Sequence, residues 1–222
     1  MNKTYFITVV FAIFIQNSLF AQSAQTIQIF NKGVEYYQTG NFPEAAKYFI
    51  NAAELGFDKA QLIIADMYLN GRGVKQSNQL SVKWMTQAAL QGNAMAQSNL
   101  GKYYEKGEVV NKNYSDAMKW YIKAAEQNNP IALGYIGSMY ENGNGVNKNY
   151  VEAEKWYRKG AELDDNRSQC CLASFYYFGK GFEINKNEAR KWYTKAANSG
   201  LDDVFTISAK SMLEIIDKEQ KR

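Results

Sequence analysis

One tryptophan recurs along this sequence at a constant interval of 36 residues. The tryptophans are Trp84, Trp120, Trp156 and Trp192. A tyrosine keeps the same interval, at Tyr68, Tyr104, Tyr140 and Tyr176. Self-similarity with a period of this length is the signature of a helical solenoid, in which stacked helix pairs bury one continuous core. The sequence therefore predicts an all-α fold of about five helix pairs with a capping helix at its carboxyl end.

Capping and turn residues divide each repeat into two helices. Asparagine or serine stands at the start of each second helix, where its side-chain oxygen can accept a hydrogen bond from a free backbone amide. These residues are Asn41, Ser77, Asn113, Asn149 and Asn185. Residues that favour turns stand where each second helix should end. They are Gly56, Gly92, Asn128, Asp164 and Gly200.

Residues 25–222 divide into three regions, the first two of which differ in the connection between the two helices of a pair. Residues 25–57 have a short connection and carry small and aromatic residues where a tetratricopeptide repeat has its signature positions. In residues 58–200, an insert of the Gly-x-Gly-Val type lengthens each connection. Val109 replaces the second glycine in one copy, so that loop should differ most from the others. Residues 201–222 are predicted to form the capping helix and a polar tail.

The recurring rings are predicted to fill the core between helices. On that basis, replacing Trp120 with alanine should lower the free energy of unfolding by about 3–5 kcal/mol, as other large-to-small changes in cores do. A few tyrosines fall outside the recurring columns and are expected to be exposed. They are Tyr103, Tyr114, Tyr150 and Tyr177.

The first 24 residues have the pattern of a signal peptide. Lys3 supplies a positive charge, Tyr5 to Ile15 is almost entirely apolar, and Ala21 or Ala24 offers a cleavage site. The apolar run is short for a membrane span. We expect export to the periplasm or the exterior, with an uncleaved amino-terminal anchor as the alternative.

The composition argues against most catalytic and metal chemistry. The chain contains no histidine, which removes Ser-His and Cys-His nucleophile systems and the usual zinc ligand. Its formal net charge of +4 has no basic stripe to favour nucleic acid. The motifs of penicillin-recognising enzymes are absent, and the glycine loops lack the Lys-Ser or Lys-Thr of a phosphate loop. We therefore expect no catalytic residue, no cofactor and no metal.

The two cysteines, Cys170 and Cys171, are adjacent in a predicted helix. A disulfide between them would distort the peptide that joins them, and two neighbouring thiols are not a zinc signature. Two partly buried thiols are the favoured interpretation. An interchain disulfide in an oxidising compartment is left open.

The full repeat pattern resembles that of the Sel-one-like repeat (SLR), a relative of the tetratricopeptide repeat. It reads Ala-x3-Leu-Gly-x2-Tyr-x2-Gly-x-Gly-Val-x2-Asn-x3-Ala-x2-Trp-x3-Ala-Ala and covers about Gln25 to Met212. The resemblance implies a right-handed αα-superhelix whose first helices line a concave surface. It also implies an adaptor that binds a protein or peptide, since most family members assemble other proteins.

By the same resemblance, the groove side of the first helices is predicted to bind the partner. The residues concerned are Met95, Ser98, Lys102, Glu105, Ile131, Gly134, Ser138 and Glu141. The adaptor interpretation predicts a mostly monomeric chain. Two alternatives remain: a protein that binds or hydrolyses β-lactams or peptidoglycan, as suggested for a cysteine-rich exported branch of the family, and a self-associating envelope protein. This chain lacks the cysteines that staple each helix pair in that branch.

Overall fold

The structure is a computed structural model that describes residues 23–220. Eleven α-helices and no strand lie within that range. Helix α1 occupies residues 23–38, and the others are α2 (Phe42–Glu54), α3 (Asp58–Asn70), α4 (Asn78–Leu90), α5 (Ala94–Lys106), α6 (Tyr114–Ala125), α7 (Pro130–Asn142), α8 (Tyr150–Glu162), α9 (Asn166–Phe178), α10 (Lys186–Ala197) and α11 (Val204–Gln220). The predicted all-α solenoid class is confirmed. The predicted signal peptide falls outside the described residues, except for its last two.

The chain divides into two compact units, residues 1–96 and 97–222, with the boundary inside α5. In the first unit, α3 packs against α2 and α4. In the second unit, each helix from α6 to α10 packs against the next one along the chain, and α9 also contacts α7 and α11. Within each unit, consecutive helices therefore bury one another's apolar faces.

The predicted capping residues hold the second helices as expected. Each accepts a hydrogen bond from the amide three residues later, at distances between 3.0 and 3.4 Å, in Asn41, Ser77, Asn113, Asn149 and Asn185. The predicted turn residues after these helices have positive φ, including Asn128 at 57° and Asp164 at 60°. Val109 does not adopt positive φ, so its loop differs in backbone from the glycine copies.

A column of deeply buried side chains lies one residue beyond the tryptophan column. This column is 0–2% exposed and consists of Phe49, Met85, Tyr121, Tyr157 and Tyr193. Trp84 and Trp192 are buried too, but Trp120 and Trp156 are only half-buried. The ammonium groups of Lys123 and Lys159 cover those two indoles at 4.5 and 4.6 Å from the ring centroids. The prediction that Trp120 is a central core ring is therefore wrong, because its indole lies at the edge of the core.

A second buried column lies one residue before the recurring tyrosines. It consists of Met67, Tyr103, Met139 and Phe175. The expectation that Tyr103 is exposed is wrong, since its side chain is 8% exposed. Its position in the repeat points toward the core, as the methionines and phenylalanine at the same position do.

The amino-terminal end of α11 is attached to α9 through Asp203. Its Oδ1 accepts from the Thr206 amide at 2.8 Å and from the Asn166 Nδ2 at 2.9 Å. These bonds, with the Thr206 amide first, hold the pKa of the Asp203 carboxyl below its ordinary value. The charged carboxylate therefore stabilises the cap.

Replacing Asp203 with alanine is expected to lower the free energy of unfolding by about 1 kcal/mol at pH 7. A lowered folded-state pKa stabilises above the unfolded pKa and loses that stabilisation as pH falls through the folded value. The difference between the two proteins should therefore shrink below about pH 4. Urea denaturation at pH 7 and pH 3 measures it, with Asp202→Ala, at the exposed neighbouring residue, as the control. A difference that grew on acidification would contradict the capping role.

Candidate functional site

The predicted groove residues lie in different environments. Met95 and Ile131 are exposed, at 53% and 46%, and Lys102 is half-exposed. Ser98 and Ser138 are buried, at 3% and 9% exposure. A Cβ built on Gly134 would lie 2.6 Å from the Ser168 Oγ, so this position faces α9 rather than a groove. Small residues here let neighbouring first helices approach one another.

Glu105 and Glu141, also in the predicted set, each belong to a repeated tyrosine–glutamate pair. The Tyr121 hydroxyl donates to Glu105 Oε2 at 2.6 Å, and the Tyr157 hydroxyl donates to Glu141 Oε2 at 2.7 Å. Burial, followed by the nearby carboxylate in the case of Tyr121, raises the pKa of both phenols. The phenols therefore remain protonated donors that hold one oxygen of each glutamate in place.

The two glutamates differ in what their second oxygen contacts. Glu141 Oε1 accepts from the Lys180 Nζ at 2.8 Å, which neutralises this carboxylate within the fold. Glu105 accepts no second hydrogen bond and forms no ion pair within residues 23–220, although its charge interacts with that of Arg167. Its free Oε1 is therefore available to accept a hydrogen bond from another molecule.

A column of stacked side chains lies beside Glu105. The rings of Tyr121 and Tyr135 stack in parallel, with centroids 4.9 Å apart and an interplanar angle of 7°. The Arg167 guanidinium lies over the Tyr135 ring at 4.3 Å from its centroid. Glu105, Tyr135 and Arg167 come from α5, α7 and α9, so three successive first helices contribute to one surface. We refer to Lys102, Glu105, Tyr135 and Arg167 as the first-helix face.

Arg167 and Tyr135 are not among the predicted groove residues, although the sequence contains a signal for the arginine. Arg167 lies six positions before Ala173 in the small-residue column, just as Met95 and Ile131 lie six positions before Gly101 and Gly137. Extending the same spacing by one repeat would have found it. Tyr135 has no such signal, since the equivalent positions of other repeats are not aromatic.

The cysteines do not form a reactive site. Both are free thiols, and the Cys170 Sγ lies 3.5 Å from the Phe205 carbonyl oxygen, to which it donates. Burial raises the pKa of Cys170 to about 12 and also raises that of Cys171. A thiol with a raised pKa is a poor nucleophile and a poor metal ligand at neutral pH. In the described part of the chain, no cluster of three potential metal ligands occurs.

A cavity of about 470 Å³ lies between α6 and α8. Its lining includes Ile122, Leu133, Trp156, Lys159 and Glu162. No serine, threonine, cysteine or tyrosine of the described residues lines it, and the Lys159 ammonium lies over the Trp156 ring. Among the helices of residues 23–220, none combines the length and apolar character needed to cross a bilayer.

Five copies of the Sel1 repeat match this sequence, at residues 29–57, 58–93, 94–129, 130–165 and 167–201. The first copy covers most of the pair at 25–57 whose pattern resembles a tetratricopeptide repeat. No curated protein is similar enough in sequence to match.

Several solved structures are similar to this chain. A Sel1 repeat protein from Oxalobacter formigenes is 33% identical, with a TM-score of 0.76 and coverage of 83% of this chain and 73% of that one. The protective antigen c5321 of uropathogenic Escherichia coli strains, which displays an SLR fold, is 33% identical with a TM-score of 0.77. That match covers 88% of this chain but only 42% of c5321. The immunity protein Pa5087 of Pseudomonas aeruginosa shares the fold at 19% identity and a TM-score of 0.55, over 76% of this chain and 66% of that one.

Proposed function

The chain belongs to the Sel1 repeat family, and we propose that it is an exported adaptor that binds a protein or peptide across the first-helix face. Sel1 repeats are typically protein-interaction modules without catalytic activity. The residues that carry the proposal are Lys102, Glu105, Tyr135 and Arg167. A peptide that crosses α5, α7 and α9 would meet positive, negative and aromatic groups in succession.

One observation carries this proposal. The side chains of the first-helix face are already held in place, but some of their polar groups can still form hydrogen bonds with another molecule. The Tyr121 hydroxyl fixes Glu105, and the Tyr121 ring fixes Tyr135, which in turn lies beneath Arg167. Lys102 forms no ion pair within residues 23–220. Side chains that are already held in place lose little conformational entropy when a ligand binds. Polar groups with spare hydrogen-bonding capacity then supply specificity.

Photo-crosslinking in native cells tests the proposal. A photoreactive residue replaces Lys102 in one variant and Lys155, on the second helix α8, in another. We expect a discrete partner to crosslink at 102 and not at 155. The purified partner should bind the Lys102→Glu variant about tenfold more weakly than the wild type, a change of about 1.4 kcal/mol, and bind Lys155→Glu as well as the wild type.

The same samples test export. The intact mass of the chain isolated from the cell envelope or medium should lack either 21 or 24 residues, according to the cleavage site.

Crosslinking at 155 alone would place the partner on the second helices. A chain of full mass found only in the cytoplasm would remove the exported part of the proposal and leave the adaptor part in place.

The alternative functions have less support from the described residues. A β-lactam-hydrolysing role needs an activated nucleophile, whereas Cys170 is buried, Cys171 is partly buried, and both thiols have raised pKa values. We therefore keep the monomeric adaptor as the proposal.

A further inference from the structure

We propose that Arg167 and Tyr135 form a subsite for the carboxylate of a peptide ligand, with Glu105 as acceptor for a neighbouring N–H of the same ligand. The proposal rests on the adaptor function and specifies the chemistry that the first-helix face would recognise. The carboxylate could be an acidic side chain or the carboxyl terminus of the peptide. Both present the same pair of oxygens, and the experiment below separates them.

The first argument is that Arg167 forms no hydrogen bond or ion pair with another of residues 23–220, although its charge interacts with nearby groups that include Glu105. A guanidinium carries five N–H donors, and the side chain that lies against it is the ring of Tyr135. The other described arginines are all engaged. Arg72 donates to the Tyr37 hydroxyl, Arg158 pairs with Glu154, and Arg190 pairs with Asp217. Arg167 is therefore the exception among arginines of the described chain.

The second argument is that Arg167 is held in place although no carboxylate pairs with it. The guanidinium lies over Tyr135, and Tyr135 stacks on Tyr121, a ring that is 0% exposed. The arginine is half-buried, so its charge is partly removed from water. A charge with unmet donors at such a position gains more from an incoming anion than an exposed arginine would.

The third argument is that the neighbouring carboxylates of Asp165 and Glu105 interact with the charge of Arg167 but form no hydrogen bond with it. Asp165 accepts from both the amide and the hydroxyl of Ser168, as the cap of α9. Glu105 holds the Tyr121 hydroxyl through Oε2 and forms no ion pair with Arg167. Neither carboxylate therefore occupies the donors of the guanidinium. The spare Oε1 of Glu105 offers an acceptor on the same face, which suits a ligand with an acidic group followed by a peptide N–H.

A carboxylate matches the shape of the guanidinium group. A planar guanidinium binds a planar carboxylate through two parallel hydrogen bonds. The Tyr135 ring covers one side of the guanidinium, 4.3 Å from its central carbon, so a carboxylate would approach from a side that the ring does not cover. A lysine at this position would keep the charge but lose the two-pronged geometry.

Nuclear magnetic resonance titration of the purified protein with three capped tripeptides tests the proposal without the natural partner. The probes are acetyl-Ala-Ala-Ala with a free carboxyl terminus, acetyl-Ala-Glu-Ala-amide and the neutral acetyl-Ala-Gln-Ala-amide. We expect the Nε–Hε signal of Arg167 and the backbone amides of residues 165–169 to shift in a saturable manner with carboxylate probes only. Dissociation constants on the order of 1 mM are expected for such small ligands.

Variants with matched controls complete the test. Arg167→Gln should weaken carboxylate binding at least about tenfold, and Arg167→Lys should weaken it by a smaller factor. Arg190→Gln, at an arginine already paired with Asp217, should leave binding unchanged. Far-ultraviolet circular dichroism and thermal melting verify that each variant folds.

Each possible result of the titration either supports the carboxylate subsite or overturns it. A response to both carboxylate probes, or to one of them, supports the subsite and tells whether the side chain or the terminus is preferred. An equal response to the neutral probe, or unchanged binding by Arg167→Gln, overturns it. So does the absence of any shift at 10 mM probe, roughly tenfold above the expected dissociation constant. These negative results would leave the crosslinking result at position 102, and hence the adaptor proposal, standing.

Discussion

Replacing Tyr157 with alanine is expected to lower the free energy of unfolding by about 3–5 kcal/mol, the range for deleting a large buried ring. The side chain is 1% exposed. Its ring lies against α7, where a Cβ on Gly137 would come within 2.7 Å of it, and it meets the edge of Phe175 in α9 at 5.5 Å. The deletion would leave a cavity between two consecutive helix pairs. Urea denaturation followed by circular dichroism measures the loss.

Two further variants separate the contribution of the Tyr157 ring to stability from those of its hydroxyl group and of the adjacent tryptophan. Trp156→Ala removes the adjacent, half-buried indole and should lower the free energy of unfolding by only about 1–2 kcal/mol. Tyr157→Phe keeps the ring but removes the hydrogen bond to Glu141, which should cost about 1 kcal/mol. A larger loss from Trp156→Ala than from Tyr157→Ala would show that the tryptophan column, and not its neighbour, forms the core.

The repeat and its boundaries could be predicted from the sequence because they depend on local chemistry. Asn149 caps α8 through its own side chain, and Asp164 tolerates the left-handed turn that ends it. These properties act within a few residues of backbone. The period then transfers each assignment from one repeat to the next.

The 36-residue period alone could not show which residues of a helix point into the core. Every column recurs at the same 36-residue interval, so Trp120 and Tyr121 have equal periodicity although they point about 100° apart on the helix. The tryptophan column draws attention because its residue type is constant from the second pair onward. The neighbouring column is buried in every pair, yet its residue type varies among phenylalanine, methionine and tyrosine. Packing selects it for its fit against small residues such as Gly101 and Gly137.

The first-helix face was predicted only in part for a related reason. Lys102 and Glu105 follow from the spacing within one helix, and both remain accessible. Ser98 and Ser138 follow the same spacing but are buried where neighbouring helices approach closely. Arg167 over Tyr135 joins two helix pairs, so no pattern inside a single repeat indicates the contact.

Replacing Gly73 with alanine is expected to lower the free energy of unfolding by about 2–5 kcal/mol, from two separate causes. Gly73 has a φ of +71°, a conformation that costs about 1–2 kcal/mol for a residue with a side chain. Its added Cβ would also lie 2.3 Å from the carbonyl carbon and oxygen of Phe42, and overpacking of this kind adds about 1–3 kcal/mol. Because the contact is with backbone, no side-chain rotation relieves it.

Gly40→Ala separates the two causes. Gly40 has a φ of +78°, but nothing lies within 4 Å of an added Cβ, so only the conformational cost of about 1–2 kcal/mol should remain. Urea denaturation of both variants, with hydrogen exchange of the amides of α2 and α3, compares them. Equal losses would mean that the glycine serves the turn alone.

A larger loss at Gly73 would show that the second loop glycine is a packing position. The same relation recurs in the second unit, where a Cβ on Gly145 would lie 2.6 Å from the Tyr114 Cβ, and one on Gly181 would lie 2.7 Å from the Tyr150 Cβ. In each case the glycine faces the first residue of the second helix in the preceding pair. The loop insert would then stabilise contact between consecutive pairs, and that is the physical reason for glycine at this position of the repeat.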